Sequence, residues 1–149
     1  HSFFRFAAYE EPTLSAHIQR VLAVPSKRQD KKMVEFLVRP EIEALLKAPD
    51  LSKWIGRRDY TLLLLAIQTG LRLSELISLD RSSVTLGIGA HVHCIGKGRK
   101  ERSTPITRYV SDTMRTWLAE PSRGSSNALF PTIHGSRLSA DTVQYALAK

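Results

Sequence analysis

The sequence has 149 residues, enough for one domain or for one domain with part of another. Hydrophobic residues make up 42% and charged residues 24%, as in an ordinary globular protein, and the formal net charge of +8 favours polyanionic partners, nucleic acid before anionic membranes. The single cysteine, Cys94, excludes an internal disulfide and a cysteine-based zinc site and favours a reducing, cytosolic setting. The longest apolar run, residues 62–67, is too short to cross a bilayer.

The first 32 residues are expected to form two short helices and a basic linker. Helical spacing of apolar residues predicts the helices within residues 2–23, with a break at residues 10–13. We expect the three phenylalanines of the first helix to pack in a core, although they could also form a base-stacking patch: Phe3, Phe4 and Phe6. Residues 25–32 are polar and basic, which predicts an exposed linker and a domain boundary between residues 1–28 and 29–149.

The next part of the chain is predicted to be helical. Pro40 suits the first turn of a short helix, and an apolar helix follows over about residues 57–69. Gly70 occupies the position of a left-handed C-terminal cap. Ser74 is predicted to cap a short helix over residues 75–79.

Three short segments rich in β-branched residues and separated by glycines come next. They span residues 84–86, 91–95 and 102–106. This pattern predicts a small antiparallel three-stranded meander. A helix resumes near Arg108, and Ser139 is predicted to cap a last helix. The predicted fold class is therefore mainly α with one small antiparallel three-stranded sheet (α+β).

Arg72 follows the predicted turn at Gly70. Because the preceding helix is apolar nearly all round, we expect this turn to be held rigidly, which suits a side chain that serves a site. The planar guanidinium can bind a phosphate diester through two donors. Glu75 could brace the guanidinium, or it could be a first-turn carboxylate favoured by the helix dipole. The alternative for Arg72 is an ordinary surface arginine after a helix end.

A glycine-flanked turn at residues 96–98 carries a second basic feature. Lys97 lies at its centre, and further basic residues follow: Arg99, Lys100, Arg102 and Arg108. Because the flanking glycines let the backbone approach a phosphate closely, nucleic-acid contact is predicted here, against the alternative of a solvated turn. The predicted linker adds four basic residues that we also assign to DNA contact: Lys27, Arg28, Lys31 and Lys32.

Two motifs stand in a characteristic order, TGLRLSEL at residues 69–76 and IGKGRKERSTPI at residues 95–106. With a helix before them, a meander between them and a proline in the third strand, they resemble the catalytic domain of tyrosine recombinases, the phage integrase family. The resemblance covers roughly residues 30–149. Residues 1–28 are similar, more loosely, to the end of the helical core-binding domain that precedes the catalytic domain in that family.

By this resemblance, Arg72 is the first catalytic arginine, whose guanidinium grips the non-bridging oxygens of the scissile phosphate. Lys97 matches the hairpin lysine that serves as general acid toward the leaving 5′-hydroxyl. The implied chemistry is a transesterification without metal or other cofactor, in which a tyrosine attacks the phosphodiester and forms a 3′-phosphotyrosyl link. The implied partners are double-stranded DNA at a recombination site and further recombinase protomers, with neither a membrane nor a small-molecule substrate.

The second half of the family's active site is not recognisable in the sequence. A His/Lys-x-x-Arg box and the tyrosine nucleophile should follow the last predicted helix, within which the chain ends, so we expect a fragment cut at both ends. His134 and Arg137 have the box spacing but stand in a glycine-containing turn before that helix. Tyr109 and Tyr145 are expected to be packing residues of their helices.

His91 and His93 alternate onto one face of a predicted strand, with Cys94 on the other. Two histidines are too few for a zinc site without a third ligand, so no metal site is predicted and these residues are interpreted as exposed polar side chains.

The first functional hypothesis is a fragment of a site-specific recombinase or integrase that binds DNA but lacks the nucleophile. It would come from a mobile element, in integration or transposition, or from a chromosomal resolution system, and would be cytoplasmic and nucleoid-associated when bound to DNA. The alternative is a non-catalytic DNA-binding module or regulator that retains the fold. An RNA-binding module is disfavoured, since no RNP motif or KH loop occurs.

Overall fold

In the computed structural model, whose described residues are 2–25, 36–96, 98, 100–121 and 124–147, the polypeptide divides into two units. The first unit is His1–Phe36 and the second is Leu37–Lys149. The predicted linker lies for the most part outside the described residues, so the boundary after residue 28 stays a prediction. Within the described ranges, no helix is both long and apolar enough to cross a membrane.

The first unit consists of helices α1 (Ser2–Glu10) and α2 (Ser15–Ala23), separated by a 3₁₀ turn at Pro12–Leu14. Ile18 of α2 is buried, whereas none of the described residues of α1 is. Phe3 is 73% exposed and Phe6 64%, so the expectation that the phenylalanines form a core is wrong. At about 100° per residue the three rings spread over about 160° of the helix, and one short neighbouring helix cannot cover so wide an arc.

Five α-helices, one 3₁₀ turn and a small sheet make up the described part of the second unit. The helices are α3 (Arg39–Lys47), α4 (Trp54–Thr69), α5 (Leu73–Ser78), α6 (Arg108–Ala119) and α7 (Ala140–Leu147), with a 3₁₀ turn at Arg81–Ser83 between α5 and the sheet. The central helix, α4, begins three residues earlier than predicted. Its apolar run is buried on several sides, with Leu65 fully inaccessible and Leu62 and Leu64 nearly so.

The sheet contains β1 (Val84–Thr85), β2 (His91–Ile95) and β3 (Glu101–Pro105) in the order β1-β2-β3. Both pairings are antiparallel, so the predicted meander is confirmed. Val92 and Cys94 of β2 are buried, whereas His91 and His93 point to the more exposed face, as the alternation predicts.

The hydrophobic core of the second unit lies between α4, α6 and the inner face of the sheet. Its largest fully buried side chains are Phe130, Leu65, Met114, Leu129 and Val92. Trp117 of α6 packs between Trp54 and Phe130, with ring centroids 5.4 and 6.3 Å away, and its indole N–H donates to the Leu129 carbonyl at 2.9 Å. Leu129 is also held by main-chain bonding, since its N–H donates to the carbonyl of Leu79 at 2.9 Å.

Two tyrosines that were expected to pack in helices are exposed instead. Tyr145 is 67% exposed because it follows the buried Val143 of α7 by two residues, about 200° around the helix. Tyr109 is 61% exposed, and its hydroxyl lies 2.5 Å from that of Tyr60 on α4. The packing expectation for both residues is therefore wrong.

Candidate functional site

The candidate site begins where α4 ends at Gly70. This glycine has φ 60° and ψ 25°, the predicted left-handed cap, and its N–H donates to the carbonyl of Ala66 at 2.9 Å. Leu71, the next residue, is only 7% exposed and anchors the turn in the core. Because both sides of the turn are held, the chain leaves α4 in one direction and presents Arg72 beside it.

Helix α5 starts two residues earlier than the sequence predicts. Its N-terminal cap is Arg72, and the carboxylate of Glu75 accepts a hydrogen bond from the Arg72 N–H at 2.8 Å. The prediction that Ser74 caps this helix is wrong, because Ser74 lies inside the first turn. The N–H of the cap residue, Arg72, is instead bonded to the carboxylate of Glu75 at the third helical position.

Glu75 connects two arginines. Its Oε1 accepts from Nη1 of Arg72 at 3.3 Å, and its Oε2 accepts from Nη2 of Arg102 at 2.8 Å. The Glu75 side chain is 5% exposed, whereas that of Arg72 is 69% exposed. The two interpretations of Glu75 are thus both realised: it is a first-turn carboxylate, and it braces the guanidinium of Arg72.

The electrostatics keep Glu75 ionised. The hydrogen bond from the Arg72 N–H lowers the pKa of the Glu75 carboxyl, and the positive charges of Arg102 and Arg72 lower it further, against the opposing effect of burial. A charged carboxylate beneath an exposed guanidinium fixes one side of that group and leaves the rest directed to solvent. Such an arrangement suits the binding of an anion.

The β2–β3 hairpin closes directly over Glu75. The N–H of Gly96 donates to the carbonyl of Lys100 at 2.8 Å, and a Cβ placed on Gly96 would lie 3.2 Å from Oε1 of Glu75. Glycine therefore lets the hairpin backbone approach the carboxylate. Lys97 and Arg99, the central basic residues of this turn, lie outside the described residues, and their roles stay predictions.

The predicted site residues thus separate into those that the structure describes and those that it does not, and Lys97 and Arg99 belong to the second set. Arg72, Glu75 and Arg102 are brought together, and Lys100 is exposed on the same hairpin. The four basic residues of the predicted linker lie outside the described residues: Lys27, Arg28, Lys31 and Lys32.

The contact between Arg102 and Glu75 was missed in the sequence. In the register of the hairpin, Arg102 pairs with Cys94, whose side chain faces the core, so Arg102 projects from that same face of the sheet. The alternation of buried and exposed residues in β2 indicates which face of the sheet each side chain occupies. To place Arg102 on that face, the exact register of the hairpin is also needed, and the glycine spacing alone does not specify it.

His134 and Arg137 form part of a structural turn. Gly135 has φ 85°, and Arg137 donates to the carbonyl of Leu79 at 3.1 Å and to Asp80 at 2.7 Å. Arg137 therefore joins the loop before α7 to the chain that leaves α5. In the part of the chain that the structure describes, no three side chains of His, Cys, Asp or Glu are grouped closely enough to hold a metal ion.

The comparison with known families covers the whole of the second unit. The phage integrase family matches residues 35–149. The chain belongs to the phage integrase family. The family inferred from the two motifs is therefore confirmed.

Relatives in this family are longer than the chain. A Sinorhizobium fredii protein named as an integrase/recombinase, y4rC, is 57% identical over 149 residues, which cover 100% of this chain and 45% of that protein. The tyrosine recombinase XerD of Staphylococcus aureus (strain N315) is 38% identical over 150 residues, which cover 95% of this chain and 48% of the relative. The chain thus spans about half the length of these curated relatives.

Solved structures share the fold. The XerA recombinase aligns with a TM-score of 0.65 at 20% identity, covering 98% of this chain and 57% of that one. The XerH site-specific recombinase, bound to its difH substrate before cleavage, aligns with a TM-score of 0.62 at 24% identity, covering 78% of this chain and 35% of that one. The predicted fold class, mainly α with one small antiparallel sheet, is confirmed.

Proposed function

We propose that this chain is part of a site-specific tyrosine recombinase that binds double-stranded DNA and supplies Arg72 to phosphodiester transesterification. The observation that carries the proposal is the exposed guanidinium of Arg72, braced by the buried carboxylate of Glu75 at the rigid end of α4. Membership of the phage integrase family and the net charge of +8 support it.

The proposed transesterification requires preorganised positive charge around the phosphate. When a tyrosine hydroxyl attacks phosphorus, negative charge builds on the non-bridging oxygens, and donors already in place lower the barrier. Arg72 would bind those oxygens, while Lys97 would give a proton to the leaving 5′-oxygen, a role carried over by resemblance. The tyrosine nucleophile and the second basic box are expected outside this chain. Further protomers on the DNA and a cytoplasmic, nucleoid-associated location belong to the same proposal.

The first test measures DNA binding by fluorescence anisotropy with a short random-sequence duplex at several salt concentrations. If Arg72 contacts a phosphate, Arg72→Ala should reduce the slope of log K against log salt by about 0.9. The ratio of the wild-type affinity to that of Arg72→Ala should then decrease by a factor of about 3.5 between about 50 and 200 mM NaCl. Arg115→Ala is the matched control, because this exposed arginine of α6 likewise pairs with a carboxylate three residues away, Asp112, but lies outside the candidate site. Equal effects of the two substitutions would overturn the assignment of Arg72.

The second test asks whether the chain can cleave DNA. Incubated with nicked suicide duplexes that carry the cognate site, it should form no covalent adduct, whereas the longer protein should form one that Arg72→Ala abolishes. An adduct formed by this chain would show that the nucleophile lies within it. A longer protein that binds the site but never forms an adduct would identify a non-catalytic DNA-binding regulator instead.

A further inference from the structure

The guanidinium of Arg102 makes two contacts within the protein. Nη2 donates to Oε2 of Glu75 at 2.8 Å, and Nε donates to Sγ of Cys94 at 3.4 Å. Its side chain is 44% exposed, compared with 69% for Arg72. Two of the five N–H donors of the guanidinium are thus engaged within the protein, which holds this group against Glu75 and Cys94.

The bond from Arg102 reaches the same oxygen that holds Arg72. Oε2 of Glu75 accepts both from Nη2 of Arg102 and from the N–H of Arg72, each at 2.8 Å. With Oε2 fixed in this way, Oε1 is directed at Nη1 of Arg72, 3.3 Å away. The position of the exposed guanidinium therefore depends on a carboxylate that β3 helps to hold.

Gly96 completes the enclosure of this carboxylate. A Cβ there would approach Oε1 of Glu75 to 3.2 Å, tighter than ordinary van der Waals contact. The hairpin backbone, Arg102 and the start of α5 surround Glu75 from different elements, so the carboxylate has little freedom to follow Arg72 if the guanidinium moves.

We propose that Arg102 is a positioning residue, which acts through Glu75 to hold Arg72, and that it is not itself a ligand of DNA phosphate. This inference rests on the proposed function, in which Arg72 binds phosphate, and it revises the assignment of Arg102 to DNA contact made from the sequence. Because the guanidinium of Arg72 is preorganised in this way, it loses less conformational freedom when it binds an anion.

A double-substitution cycle in DNA binding tests the proposal. Arg102→Gln, Arg72→Ala and the double variant are compared with the same duplex and salt series. If Arg102 acts through Arg72, Arg102→Gln weakens binding when Arg72 is present and has less than about a twofold effect when Arg72 is absent. If Arg102 binds phosphate directly, the two effects add and each substitution lowers the salt slope by about 0.9, which would overturn the proposal.

A second measurement does not depend on DNA. Native-state hydrogen exchange of the Arg72 N–H should be several-fold faster in Arg102→Gln, because Glu75 loses the bond that orients it. Lys100→Gln, on the same hairpin, is the matched control and should leave this exchange unchanged. Unaltered exchange in Arg102→Gln would overturn the proposal even if the chain binds DNA. If the wild-type chain binds no DNA, the proposed function fails, and the exchange experiment still decides whether Arg102 positions Arg72.

Tryptophan fluorescence verifies that each variant is folded, since both tryptophans, Trp54 and Trp117, belong to the second unit. If Arg102→Gln does not fold, Arg102→Lys serves in its place. Lysine keeps the charge and the aliphatic stem but lacks the Nε donor and the planar fork. Faster exchange of the Arg72 N–H in Arg102→Lys supports the positioning role, and unchanged exchange contradicts it.

Discussion

Replacing Gly70 by alanine isolates the energetic cost of the turn that presents Arg72. The residue has φ 60° and ψ 25°, and a Cβ placed on it would meet no atom within 4 Å, so the cost is one of backbone conformation and not of crowding. An L-residue in this region costs about 1–2 kcal/mol. Alanine also stiffens the unfolded chain, which offsets about 0.4–1 kcal/mol. The expected net loss is about 1 kcal/mol.

Urea and thermal unfolding followed by tryptophan fluorescence measure this loss in the second unit. For a unit of this size, Gly70→Ala should lower the midpoint temperature by about 4 °C. Gly70→Asn should cost less, because asparagine tolerates the left-handed region. A neutral or stabilising Gly70→Ala would refute the assignment of the cost to the backbone.

Gly56→Ala provides the contrasting control within α4. Alanine is intrinsically better than glycine in a helix by about 1 kcal/mol. Here, however, its Cβ would lie 1.9 Å from the carbonyl oxygen of Asp50, so the chain must shift. The expected outcome is destabilisation by about 1–3 kcal/mol or more. Stabilisation would show that this steric argument is wrong.

Three further predictions concern charge, hydroxyl pairing and the core. Because the pKa of Glu75 is lowered in the folded state, the contribution of this carboxylate to stability is complete above its ordinary pKa of 4.5 and is lost as the pH falls through the lower folded value. In urea midpoints measured against pH, Glu75→Gln should therefore reduce the loss of stability at acid pH. An unchanged loss at acid pH would contradict this prediction. The hydrogen bond with Tyr109 raises the pKa of Tyr60 to about 12, so the associated stability is complete below the ordinary pKa of 10.0 and is lost as the pH rises toward 12. Tyr109→Phe should shift the midpoint of the Tyr60 titration, followed by tyrosinate absorbance, back toward 10.0. An unshifted midpoint would count against the pairing. Leu65→Ala, at a fully buried site, should cost about 2–5 kcal/mol in urea unfolding, well above the cost of Ile67→Ala at a 37% exposed position, and equal losses would refute the placement of the core.

Local sequence signals predicted the framework of the site. The apolar run of α4, the left-handed cap at Gly70 and the three-stranded meander each depend on neighbouring residues, and the structure contains all three. The errors arose where one local pattern has several tertiary outcomes. Phe3 and Phe6 are hydrophobic, but whether they are buried depends on how much surface the neighbouring helix covers. Ser74 is a favoured capping residue, but the cap residue of this helix is Arg72, whose N–H donates to the side chain of Glu75.

The sequence by itself therefore determined the elements, the family motifs and the exposed arginine at the end of α4. Only the tertiary structure decided that Glu75 serves two arginines at once. Arg102 lies 27 residues beyond Glu75, and their contact depends on the register of the hairpin and on the close approach of Gly96. Helix caps and turns are set by interactions over a few residues, whereas a contact between a helix end and a strand exists only once the core has placed both elements.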